Sequence, residues 1–396
     1  MMKHVVIAGG GFAGVRLARQ LNKQKDVNVT LINDSPDFRY YPAMYRAATG
    51  FKLGSARLPL EWMVLDQPRT DLFIDTVTSV DPHAKLITTA SGQSISYDYA
   101  AFALGSVTTY FHIEGIPENS YGMKSPDEIA RLRAHLHEHV TSGAEADQNY
   151  VIVGAGPAGC ELAGGLGTYI KHIVKKHGVK KHSVNVWLVE AGPRILPMIS
   201  EKQARAAHKR LEKHGVKILT GTTVTRETVS QLNTSQGPIK THTVIWTAGT
   251  TNSPFFTAHP EVFERNIRGR VVVDKHLLTK DHLYVIGDNA ATAHGGLALT
   301  AIQHANFTAR DIKARIHGGT RPAKYETYPI AVIPIDRYWA VMQYRKFALH
   351  GWPVAMVRLA ADYIGYADVL GYIKAFTIWS NGEKTENGCN VCDKNS

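Results

Sequence analysis

Two glycine-rich segments about 145 residues apart constrain this chain more than any other feature. The first, HVVIAGGGFAG, runs from His4 to Gly14, and the second, YVIVGAGPAG, from Tyr150 to Gly159. Each places a β-branched run before a G-x-G-x-x-G turn and a helical periodicity after it. In that context each glycine has a distinct task. Gly9 and Gly154 permit a tight turn, Gly11 and Gly156 let backbone approach a pyrophosphate, and Gly14 and Gly159 let helix and strand pack closely. The helix start, at Phe12 and Ala13 in one copy and Pro157 in the other, then faces the phosphate charge. One such turn is weak evidence; two in strand-turn-helix context predict an α/β fold with two Rossmann-like dinucleotide-binding domains.

The strand after each turn should end in a residue that binds ribose hydroxyls. In the second copy VNVWLVE supplies Glu190, whose charge would repel a 2′-phosphate and so selects NADH over NADPH. In the first copy VNVTLIND offers Asn33, with Asp34 beside it; an asparagine can also hydrogen-bond a ribose.

Of the 396 residues, 44% are hydrophobic and 20% charged, which is ordinary globular composition. The net charge of +11 favours anionic partners, and the absence of a basic run interleaved with aromatics argues against nucleic acid. The short apolar start leads straight into glycines, unlike a signal peptide, so a cytoplasmic protein is expected. Cys160, Cys389 and Cys392 are too few and too unevenly placed for a disulfide framework. Cys160 reads as a small buried residue. Cys389 and Cys392 form a C-x-x-C in a polar tail that could be a redox pair or half a zinc site, but with no second pair and no nearby histidine no metal site is expected.

With these motifs the chain resembles the type II NADH dehydrogenases, single-subunit NADH:quinone oxidoreductases of the two-dinucleotide-binding flavoprotein superfamily. The likeness extends to YYPAMYRAATG (Tyr40 to Gly50), with Pro42 beneath the flavin, to YDYAAFALGS with Ala103 and Gly105, to GPAGCELAG and LVEAGPRILP, and to VIWTAGT with Ala248 and Gly249. It also implies a role for HLYVIGDNA, where Gly287 and Asp288 would meet the ribityl chain of FAD; a helix cap or turn is the plainer reading of Asp288. The FAD domain is then discontinuous, residues 1–118 and 275–325, with an NAD(H) domain at 119–274 and a partly helical C-terminal region at 326–396. FAD and NADH are the implied cofactors, and Glu161 is expected in the first turn of its helix, near the nicotinamide. The helix after His294 would aim its N-terminus at the flavin through Thr300 and Ala301.

That helix also carries AIQHAN, residues 301 to 306, where the family's quinone reducers resemble A-Q-x-A-x-Q. Ile302 and Asn306 replace the two glutamines, Gln303 is one residue out of register, and His304 is the candidate to touch the acceptor and supply a proton. Quinone is the acceptor that the resemblance implies.

From Trp352 to Trp379 the chain is apolar and aromatic but is broken by Arg358, Asp362, Asp368 and Lys374. This suits an interfacial segment on the inner face of a cell membrane better than a spanning helix, with a dimerising or core-covering helix pair as the alternative. Two rival functions remain open: a sulfide:quinone or soluble NAD(P)H:acceptor reductase on the same fold, and an NADH-sensing flavoprotein acting through a partner.

Overall fold

The computed structural model describes residues 2–141, 148–179, 183–326, 328, 330–382 and 384. Cys389 and Cys392 lie outside the described residues. Strand β1 (Lys3–Ala8) runs into helix α1 (Phe12–Leu21), followed by β2 (Val27–Asn33), α2 (Tyr41–Ala48), β3 (Thr70–Ile74) and β4 (Tyr99–Phe102). β1 pairs in parallel with β2 and with β4, and its residues Val5 to Ala8 are fully buried. A near-continuous apolar run is what a strand covered on both faces requires.

The chain then builds a second parallel sheet from β5 (Asn149–Val153), β6 (Asn185–Val189), β7 (Val216–Leu219) and β8 (Thr243–Trp246), in the order β7-β6-β5-β8, with α3 (Pro157–Lys176) following β5. It returns to the first sheet with β9 (Leu278–Lys280) and β10 (Leu283–Val285), completing the order β9-β10-β4-β1-β2-β3, before α4 (Ala298–His317) packs on α1. Short strands Ser106–Thr108 and Thr250–Asn252 pair antiparallel between the two units. The fold is thus α/β with two Rossmann-like units, one of them assembled from both sides of the other.

A three-stranded antiparallel sheet follows, β11 (Ala331–Asp336), β12 (Trp339–Tyr344) and β13 (Phe347–Gly351), which the sequence reading did not anticipate. It leans on α3 so closely that a Cβ at Gly164 would sit 1.5 Å from the Ile335 carbonyl oxygen. Helices α5 (Trp352–Leu370) and α6 (Tyr372–Gly382) close the described chain. Tyr366 of α5 stacks on Tyr40 with centroids 3.9 Å apart, and its hydroxyl donates to the Ser55 carbonyl at 2.8 Å. Tyr366, Val369 and Leu370 belong to the main core, so α5 covers the first domain.

Three of the four charges that break this stretch in the sequence, Arg358, Asp362 and Asp368, turn inward, while Lys374 is exposed. Asp362 is buried, its carboxylate pairing with Arg358 of the same helix and with Arg46 of α2 at 3.2 Å. Ile364, Tyr372, Ile373 and Phe376 turn outward instead, Ile373 at 87% exposure. Among the described residues no helix is long and apolar enough to cross a membrane.

Candidate active site

The first glycine turn is held by its own strand neighbours. Gly9 donates to the Ile32 carbonyl at 2.8 Å, and a Cβ at Gly14 would lie 1.8 Å from the Gly9 carbonyl oxygen. Only glycine allows α1 to start this close to β1. Around Gly11, by contrast, nothing lies within 4 Å of a Cβ position. No side chain caps α1 and its first turn holds no acid, so its leading N–H groups remain available to an anion. Asn33 Oδ1 accepts from Gly10 N at 2.7 Å and its amide donates to the Ser35 carbonyl. The residue at the cradle is therefore Asn33, while the Asp34 side chain is exposed and lies 4.0 Å from Arg39.

The second turn repeats this construction. Gly154 donates to Val189, a Cβ at Gly159 would lie 1.9 Å from the Gly154 carbonyl, and Gly156 faces open space at the uncapped start of α3, with Pro157 in the first turn. Glu190 stands where Asn33 does: its Oε2 accepts from Ala155 N and its Oε1 from Gly192 N, each at 2.7 Å. A carboxylate offers about four acceptor positions, so ribose hydroxyls can still be bound. Ala248 packs against Gly154 closely enough to exclude a side chain there. Gly249 does the same beneath Phe111 and Thr109.

Two helix starts and one strand end converge between these cradles. A Cβ at Gly287 would lie 3.4 Å from that of Ala13 in α1 and 3.9 Å from that of Ala301 in α4. Asp288 accepts from Gly296 N at 3.0 Å and from Ser106 Oγ at 3.3 Å. Lys124 reaches the same hydroxyl at 3.1 Å and lies 5.4 Å from the Tyr41 ring centroid, with burial lowering its pKa. Asn289 clamps Gly105 by both its backbone groups and hydrogen-bonds Asn252 of the linking strand. Sequence reading missed Lys124 and Asn289; the only signal for Asn289 was its place after Gly-Asp.

Glu161 lies in the second turn of α3, not the first as expected, because the helix begins at Pro157. It is half-buried, and desolvation pushes its pKa up to about 7 against the pull of Arg358 and Arg46. These arginines and Asp362 join α2, α3 and α5 at one point, with Arg358 also donating to the Pro42 carbonyl at 3.2 Å. Arg358 and Asp362 were visible in the sequence as an i,i+4 pair, but nothing there showed that they face inward.

The acceptor side differs most from expectation. His304 is fully buried; its Nδ1 accepts from Gly287 N at 2.9 Å and its Nε2 lies 3.2 Å from Thr292 Oγ1. Burial pushes its pKa down to about 4, and the ring is T-stacked on Tyr325. Both nitrogens are occupied, so the expected contact with an acceptor is corrected to a positioning role that ties α4 to the Gly-Asp turn. Ile302 packs against the core. Gln303 and Asn306 turn to the α1 side, where Arg16 Nε donates to Asn306 Oδ1 at 2.8 Å. Thr300 is buried and donates to the His294 carbonyl at 2.8 Å.

Cys160 is buried, with desolvation raising its thiol pKa, and the described residues contain no second cysteine. Nor do they contain a cluster of three potential metal ligands.

Two uncapped glycine cradles around one junction define a pyridine-nucleotide flavoprotein oxidoreductase. Residues 3–305 match the pyridine nucleotide-disulphide oxidoreductase family, and the chain belongs to that family. It is 28% identical over 405 residues to the type II NADH:quinone oxidoreductase Ndh of Mycobacterium tuberculosis, covering 94% of this chain and 87% of that protein. It is also 28% identical over 340 residues to the type II NADH:quinone oxidoreductase of Staphylococcus saprophyticus, covering 80% and 83%. Among solved structures, NDH2 from Plasmodium falciparum in complex with NADH superposes with a TM-score of 0.84 at 14% identity, covering 96% of this chain and 98% of that one. The sulfide:quinone oxidoreductase of Aquifex aeolicus gives 0.80 at 18%, covering 98% of both. At these identities the structures show the fold.

Proposed function

We propose that this protein is an NADH:quinone oxidoreductase of the type II kind, with FAD in the first cradle and NADH in the second. The observation that carries the reading is the pair of open, uncapped helix starts at Gly11 and Gly156 on either side of one junction. The residues fit both groups: each cradle has free N–H donors and a glycine whose missing Cβ leaves room for a diphosphate. FAD would be held by Gly9, Gly11, Phe12, Ala13, Gly14 and Asn33 at its nucleotide end, and by Pro42, Ala103, Gly105, Gly287, Asp288, Thr300 and Ala301 toward its ring. NADH would be held by Gly154, Gly156, Pro157, Gly159, Glu190, Ala248 and Gly249. Once bound, the flavin supplies a two-electron acceptor for hydride and a donor to quinone.

The protein's own contribution is orientation and charge. Glu161 orients the nicotinamide or holds a proton beside it, in an environment where desolvation raises its carboxyl pKa to about 7. The start of α4, positioned by His304 and Thr300, directs partial positive charge toward the junction. The names of the relatives support quinone as acceptor, although the AIQHAN side chains differ in their polar contacts from the family pattern.

The domain division, 1–118 with 275–325, 119–274 and 326–396, belongs to the same proposal. So does peripheral attachment to the inner face of the cell membrane: α5 turns Arg358, Asp362 and Asp368 onto the protein, and α5 and α6 present Ile364, Tyr372, Ile373 and Phe376 outward beside the exposed Lys374. Homodimerisation through that face is the competing use, and the oligomeric state with and without detergent separates the two.

The first test is anaerobic. NADH should bleach the flavin absorbance of the purified holoprotein, and a short-chain quinone should restore it rapidly. Failure of quinone, with oxygen or an artificial acceptor still effective, overturns the acceptor assignment while leaving the donor half intact.

A further inference from the structure

Between α1 and α4 lies a groove of ≈ 700 Å³ that the reaction above does not use. Its walls are two stripes: Arg16 and Gln20 on α1, with Lys23 just past its end, face Gln303, Asn306, Arg310 and Lys313 on α4, with Lys324 and Glu326 at the rim. Five cations therefore share the groove with one carboxylate. Glu326 is taken by Lys324 at 3.0 Å, and Arg16 is held by Asp368 of α5 at 2.5 Å. Lys23, Arg310 and Lys313 have no carboxylate within ion-pair distance among the described residues. A concave wall lined by unpaired charge of one sign focuses potential and concentrates anions.

The position of the groove narrows the choice of anion. Arg16 links it to Asp368, and Arg19 donates to the Val369 carbonyl at 3.2 Å, so one end abuts the last turn of α5. One turn further along the chain, Tyr372, Ile373 and Phe376 begin the outward apolar face. A soluble phosphate would engage the cations only. An amphiphile with a phosphate head and apolar chains would satisfy groove and face together.

We propose that this groove seats the phosphate headgroup of an acidic phospholipid. The proposal rests on the reading of α5 and α6 as the membrane-facing surface. It adds to that reading a defined headgroup site, distinct from diffuse attraction by the net charge.

The test is sedimentation of the holoprotein with phosphatidylcholine vesicles, with and without phosphatidylglycerol, at physiological salt. A Lys23→Ala/Arg310→Ala/Lys313→Ala variant should lose about tenfold or more of its affinity for the anionic vesicles. A control of equal charge loss, Lys202→Ala/Lys209→Ala/Lys213→Ala on the exposed face of helix Glu201–Lys213, should change it by less than about threefold. Equal losses in the two variants would reduce the effect to net charge and overturn the proposal. Glycerol 3-phosphate binding measured by calorimetry supplies the other arm: if it binds the wild type and not the groove variant, while both bind anionic vesicles equally, the ligand is a soluble phosphate and the lipid assignment falls. An Ile373→Glu/Phe376→Glu variant should lose both vesicle types. Full retention there would sink the membrane-facing reading on its own account, whatever the groove variant does.

Discussion

At the scale of single residues, the two glutamates of the second cradle do different work. Glu190 spends two acceptor positions on the backbone of its own glycine turn and keeps the others for ribose. Glu190→Ser should therefore relax discrimination against NADPH by about tenfold and also loosen the turn; selectivity that survives would place the adenosine ribose elsewhere. Desolvation pushes the Glu161 carboxyl up to about 7, so the rate of flavin reduction should change with an apparent pKa in that region. In Glu161→Gln that inflection should vanish and the rate should fall, with FAD retained, as followed by stopped-flow absorbance. His304 is the contrasting case. His304→Leu leaves Gly287 N–H without its acceptor, which should cost about 1–3 kcal/mol in chemical denaturation while the KM for quinone stays unchanged. A raised KM with unchanged stability would return the residue to the acceptor site.

At the scale of elements, α5 behaves unlike an ordinary surface helix. Its charges are buried together with Tyr366, Val369 and Leu370 while Met356, Val357 and Ile364 are exposed, because Asp362 has two arginine partners inside the protein. Removing one member of a buried ionic group leaves the others uncompensated, so Asp362→Ala should destabilise the protein by about 3–5 kcal/mol. It should also lower the apparent pKa of Glu161, since Arg46 and Arg358 would then act on that carboxylate without Asp362 beside them. Thermal unfolding reads the first effect and the pH profile of flavin reduction the second. A stable variant with an unshifted profile would mean that α5 merely rests on the cofactor domain.

For the whole molecule, two carboxyls are raised well above the usual 4.5, Glu161 to about 7 and Glu227 to about 8, each chiefly by desolvation. Glu227 is buried on strand Val224–Thr228 with one oxygen lacking a partner. A group bound to its proton more tightly in the folded state contributes stability that is complete below its unfolded pKa and is lost as pH rises through the folded value. Below about pH 6.5 His135, His137 and His304, each pushed down to about 4 chiefly by desolvation, act in the opposite sense, so the melting temperature should fall only between about pH 6.5 and 8, and Glu227→Gln should flatten that decline. An unchanged slope in the variant would place the pH dependence elsewhere.

The sequence by itself determined the two cradles, because their requirements are local. A glycine that must let a carbonyl pass within 2 Å of a missing Cβ is written into the chain at fixed spacing, as at Gly14 and Gly159. The same holds for the strand-end residues Asn33 and Glu190, which follow their turns through one parallel crossover. Relations between distant elements were decided only by the tertiary structure. AIQHAN names a helix but not which of its faces meets the core, and one residue of rotation separates the buried His304 from Gln303 in the cationic groove. Likewise Arg358, Asp362 and Asp368 read in one dimension as interruptions of an apolar stretch. They became an inward anchor only because α1 and α2, more than 300 residues earlier, bring Arg16 and Arg46 to meet them. Burial and charge pairing depend on what lies opposite, and that partner is set by the packing of the whole chain.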